Sequence, residues 1–122
     1  MKRTTTLLIA MLLAVSAMAQ SPEFAYCSIW GSGRMGYSKD RVYINYGQDD
    51  TKRNWLVDDT GEVIHFATLI QAANYLSKYG WRVIDADRVE TDTIILEKKI
   101  SSEDDITEGI LTREMYLELS GR

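Results

Sequence analysis

The chain has little of what usually specifies chemistry. Its 122 residues hold one Cys, one His and one Pro. One Cys excludes an intramolecular disulfide framework and a Cys-based zinc finger. One His excludes a multi-histidine metal site. Positive charge is also short: 18 acidic residues against 14 basic ones give a net charge of -4 and a pI near 4.9. A nucleic-acid partner calls for a basic face, so that class is set aside. With Pro22 as the one proline, and no repeat or low-complexity segment, nothing divides the chain into domains. Two domains from this length would each have a marginal core.

What is present begins with an address. Lys2 and Arg3 form a basic start, and Leu7 to Met18 is almost wholly apolar. Ala17-Met18-Ala19 then places small residues where a signal peptidase cuts. Residues 1–19 are expected to be a signal peptide, and 20–122 a single domain with a loose tail from about 111. Cleavage takes 19 of the 122 residues and two of the 14 basic ones, leaving 103 residues with a charge of -6. The product is expected in the periplasm or outside the cell, with no membrane span, since no later apolar run approaches about 18 residues. Cys27 then meets an oxidising compartment. It is expected to be a buried small hydrophobe in a strand, with an intermolecular disulfide or a reactive thiol as alternatives.

Strand alternation runs through Phe24–Trp30 and Arg41–Tyr46. Asn54–Asp58 and Glu62–Phe66 flank Asp59-Thr60-Gly61 and predict a hairpin. Leu69, Ala72, Ala73 and Leu76 fall at helical spacing and give one apolar stripe. Thr68 with Gln71 fits a capping box, and Gly80 stands where a glycine ends a helix. Strands are predicted over 81–89 and 93–100, with a turn at Thr91-Asp92. Ser102 before Glu103-Asp104-Asp105 suggests a short helix, since carboxylates favour its first turn. Met115, Leu117 and Leu119 alternate, which suggests a last strand or an extension.

Several patterns imitate sites. Gly31-Ser32-Gly33-Arg34-Met35-Gly36 has the GxGxxG spacing of a dinucleotide loop. That motif works by opening a helix inside a βαβ unit; here another strand pattern follows, so no cofactor is expected. The pairs Asp49-Asp50 and Asp58-Asp59 lack the alternating ligands of a calcium loop, and no metal is expected. His65 has no nucleophile beside it to activate. Glu97, Asp85 and Asp87 are candidates for a carboxylate pair, but glycosidase chemistry needs a fixed separation in a cleft. The seven Tyr, three Trp and two Phe all follow residue 19. Trp30, Tyr37 and Trp55 lie near loops and are the candidate interaction surface, because Trp and Tyr anchor interfaces.

The stretch Phe66-Ala67-Thr68-Leu69-Ile70-Gln71-Ala72-Ala73-Asn74-Tyr75-Leu76-Ser77-Lys78-Tyr79-Gly80-Trp81 resembles a group of small uncharacterised secreted bacterial proteins. They carry a Phe, a capped helix with Asn-Tyr, then Gly-Trp and a strand. Leu96-Glu97-Lys98-Lys99 and the acidic stretch through Glu108-Gly109-Ile110 fit as well. Arg82 departs from the acid usual after the Trp. More distantly, the helix–Gly-Trp–strand–strand unit is similar to short bacterial domains of unknown function. It implies an α+β fold and no activity.

The expected architecture is α+β in two layers. An antiparallel sheet of five or six strands takes one main helix on one face, in the order β-β-β-β-α-β-β, with a short C-terminal helix. The expected function is a non-catalytic module that binds a protein or surface ligand. A small envelope hydrolase using carboxylates or His65, and a homo-oligomer joined through sheet edges, are the competing readings.

Overall fold

The computed structural model describes residues 23–32, 41–87 and 93–121. The expected signal peptide, Tyr37, most of the Gly31–Gly36 loop and the Thr91-Asp92 turn lie outside them.

Alternation produces the first strands. β1 (Glu23–Gly31) buries Ala25, Cys27 and Ile29, and β2 (Val42–Asn45) buries Val42 and Ile44. β3 (Arg82–Asp87) and β4 (Thr93–Ile100) complete an antiparallel sheet in the order β2-β1-β4-β3. The central ladder runs from Glu23↔Ile100 to Trp30↔Thr93. The protein is therefore α+β, with four strands in the sheet among the described residues where five or six were expected.

The shortfall lies in the hairpin. Trp55, Leu56 and Val57 form single bridges, to Tyr43, Thr112 and Val63. The cause is a change of partner along a few residues. Leu56 N–H donates to Val42 O, whereas Val57 N–H donates to Leu111 O, each at 2.9 Å. No neighbour stays alongside long enough to build a ladder. The turn itself forms. Gly61 sits at φ +86, and a Cβ there would run into the Tyr116 ring.

Helix α1 (Leu69–Ser77) starts where its cap predicts. Thr68 Oγ1 accepts from Gln71 N–H at 3.2 Å. Gln71 Oε1 accepts from Ala67 N–H, one residue earlier than in a capping box. Its stripe of Leu69, Ala72, Ala73 and Leu76 is buried. Gly80, at φ +99, reverses the chain into Trp81, which is 1% exposed. That stripe, Trp81 and the inward residues of β1, β2 and β4 form one core cluster. Each large apolar side chain buried there contributes about 1.5–3 kcal/mol relative to exposure.

Beyond β4 the chain stays on the domain. A 3-10 helix (Glu103–Thr107) follows Ser102, and Asp105 Oδ2 accepts from the backbone N–H groups of Ser101 and Ser102. Lys98 points from β4 into this region and is 5% exposed. Its Nζ donates to Asp105 O at 2.6 Å and to Glu108 Oε1 at 3.2 Å. Ile110 and Thr112 are buried. Arg113 N–H donates to Trp55 O at 3.0 Å. Residues 113–119 are a helix, α2 (Arg113–Leu119), and not the strand suggested by the alternation of Met115, Leu117 and Leu119. The cap decides this: Thr112 Oγ1 accepts from Met115 N–H, and Thr112 N–H donates to Met115 Sδ.

Candidate functional site

The period-2 pattern that buries one side of the sheet turns the aromatics to the other. Phe24, Tyr26, Ser28 and Trp30 alternate with the buried residues of β1. By register they neighbour Lys99, Glu97, Ile95 and Thr93 of β4. On the other side of β1, Trp30 pairs with Tyr43, and Tyr43 bridges Trp55. None of these side chains is buried. Phe24 and Tyr26 are each 53% exposed.

Of the expected surface, Trp30 and Trp55 come together through a residue that was not singled out. Trp30 stacks on Tyr43 with centroids 5.8 Å apart and planes 15° apart. Tyr43 meets Trp55 edge-on at 6.2 Å and 81°. The Arg41 guanidinium lies 3.9 Å from the Trp55 ring centroid, a cation–π distance. The Trp30–Tyr43 stack and the Arg41 contact thus cover part of these rings. Phe24 and Tyr26 extend this apolar strip along β1. The alternation of Arg41, Tyr43 and Asn45 was visible in the sequence; the strand pairing that sets Tyr43 between two Trp was not.

The charged candidates are occupied in other ways. Glu97 faces Arg82, not a carboxylate: Arg82 Nε and Nη2 donate to Glu97 Oε1 at 3.1 and 3.0 Å. A hydrogen bond to Glu97 raises the Tyr26 hydroxyl above its ordinary pKa. Asp85 accepts from Ala86 N–H. Asp58 is a turn acceptor for Thr60 N–H, Thr60 Oγ1–H and Glu62 N–H. Those bonds, the Thr60 hydroxyl first, hold its carboxyl below the usual range. His65 is exposed, and no ion pair joins it to a carboxylate among the described residues. Cys27 is buried, and burial pushes its thiol up to about 12. A thiol held protonated is a poor nucleophile.

Among the described residues no group of three or more His, Cys, Asp and Glu is placed to hold a metal, and no helix is long and apolar enough to cross a membrane. A separate pocket of about 190 Å³ opens between the turn after β2 and α2, lined by residues that include Tyr46, Asp50, Asn54 and Glu118. Compared with protein-family models, curated proteins and solved structures, the chain matches none.

Proposed function

We propose that this is an exported, non-catalytic module whose outer sheet face binds a protein or surface ligand. The observation that carries the reading is the strip Phe24, Tyr26, Trp30, Tyr43 and Trp55, which lies on the sheet face opposite the core. Phe24 and Tyr26 are left half-exposed beside the partly buried Trp30, Tyr43 and Trp55, and exposed aromatic area of this kind anchors interfaces. Aromatic rings beside Arg41 and the Arg82–Glu97 pair suit the mixed apolar and charged surface of a protein partner. Export rests on the signal-peptide pattern of residues 1–19 and on the resemblance to small secreted proteins.

The test uses residues 20–122 as bait in extracts of the native envelope, beside a Phe24→Ser/Tyr26→Ser double variant. The expected result is a partner retained by the parent chain and lost by the variant. Equal capture by both, or capture by neither, overturns the reading. N-terminal sequencing of the protein from fractionated cells tests export, with Gln20 as the expected first residue.

The oligomer reading has less support. β3 is an edge strand of the four-stranded sheet, but its register shifts between Val83 and Asp85. Bulges and charges at an edge discourage edge-to-edge pairing. Among the described residues no ion pair joins His65 to a carboxylate, so the hydrolase reading has no observation behind it.

A further inference from the structure

The outer sheet face has two unlike ends. At the start of β1, Phe24 and Tyr26 stand half-exposed. At its far end, Trp30, Tyr43 and Trp55 contact one another and are partly buried. Ser28, between Tyr26 and Trp30, is the one small side chain of the row. The charges on this face are balanced. Among the described side chains, the strand register puts Lys99, Glu97, Arg82 and Asp85 there, two of each sign. The acid excess of the chain therefore lies elsewhere, and nothing in its net charge keeps this face from a copy of itself.

We propose that a second copy of this chain covers the outer face, sheet on sheet, about a two-fold axis that crosses β1 at Cys27. The inference rests on the reading of this face as a binding surface and names its occupant. The axis lies across the strands, so each β1 runs antiparallel to its counterpart. Phe24 then faces Trp30 of the second copy, and Tyr26 faces Ser28, a large side chain over a small one. By the same register Lys99 faces Thr93, Glu97 faces Ile95, and Arg82 faces Asp85. No like charges meet, and each contact occurs twice, as a two-fold interface requires. Arg82 gives Nε and Nη2 to Glu97. A guanidinium has five N–H donors, so donors remain for a second carboxylate.

Area sets the strength. The strands have nine, four, six and eight residues in chain order. At about 3.3 Å per residue and 4.8 Å between strands they outline roughly 430 Å² of flat sheet. Two copies together cover about 860 Å² before side-chain relief is counted, which is the low end of specific interfaces. The dimer is therefore expected to be micromolar and exchanging.

The experiment is sedimentation velocity of residues 20–122 from about 1 µM to 1 mM, the range in which such a Kd shows. A monomer–dimer equilibrium is expected for the parent chain, and the Phe24→Ser/Tyr26→Ser variant is expected to stay monomeric throughout. Asp85→Arg sets like charges against Arg82 twice and is expected to weaken the dimer about tenfold. Asp85 is exposed, so the circular dichroism of this variant is expected to match the parent's. A parent chain that stays monomeric, a dimer that survives Phe24→Ser/Tyr26→Ser, or a dimer indifferent to Asp85→Arg overturns the proposal. The envelope capture separates this failure from that of the reading beneath it. A monomeric parent that still retains another protein through Phe24 and Tyr26 removes the dimer and keeps the binding face.

Discussion

The two faces of the sheet are made from alternate residues of the same strands, yet they differ in kind. The inner face uses compact side chains, among them Ala25, Cys27, Ile29, Val42, Ile44, Ile94 and Leu96, all buried. The outer face carries Phe24, Tyr26, Trp30 and Tyr43, none of them buried. Folding takes its stabilisation from the inner set, whose water is removed whether or not a partner is present. The outer set holds apolar area that still faces water and can be covered later. One strand period thus separates the buried set from the set that still faces water, and substitutions on the two faces are expected to separate in the same way.

The comparison breaks most visibly at its inner end. Trp81→Ala is expected to cost about 3–5 kcal/mol, as truncation of a buried Trp does, and chemical denaturation measures it. A midpoint unchanged by that substitution would remove Trp81 from the core. Leu96→Ala, fully buried on β4, is expected to cost about 2–5 kcal/mol. On the outer face Tyr43→Ala removes two ring contacts, and the aromatic-pair part of its cost is about 0.5–1.5 kcal/mol. Phe24→Ser is expected to stay within about 0.5 kcal/mol of the parent. If Phe24→Ser proved as costly as Leu96→Ala, the division between the faces would be lost.

Acidity sharpens the same contrast from within. The Cys27 thiol titrates at about 12 in the folded chain against 9.0 as its ordinary value. Its folded pKa is raised, so the stability it contributes is complete below pH 9 and is lost as pH rises from 9 towards 12. Cys27→Ala is expected to flatten that alkaline loss in a series of melting curves. At neutral pH the native thiol is expected to resist a disulfide-exchange reagent until the chain is unfolded; prompt reaction of the folded protein would place Cys27 at the surface. Asp58 has the opposite sign. Its folded pKa is lowered, so its contribution is present above the ordinary carboxylate value and disappears as pH falls through the folded one.

Local chemistry made much of this fold legible. The Thr68 cap, the stripe from Leu69 to Leu76 and the reversal at Gly80 act within one helix and its ends, so their spacing reveals them. The strand of 93–100 has the bounds predicted for it, while its alternation shows in its burial. Long-range pairing left no such trace. Nothing near Trp55 announces that residues 111–113 will lie beside it. Lys98 stands in the charged run Glu97-Lys98-Lys99 and looks solvated, yet its partners Asp105 and Glu108 lie in the following turn and bury it. The alternation in α2 misled because Thr112 and Met115, not the apolar pattern, start the helix. At the candidate surface the residue types were readable, while their assembly through Tyr43 required the β1–β2 register.

The seam between residues 54–57 and 111–113 also has a consequence in time. Arg53 and Glu114, which close one end of it, are 61 residues apart. At synthesis rates of about 5–20 residues per second, the earlier segment waits roughly 3–12 s for the later one to exist. Until then the seam is an open strand edge, and the domain cannot finish folding. For that interval residues 54–57 are the kind of unpaired edge that invites wrong partners.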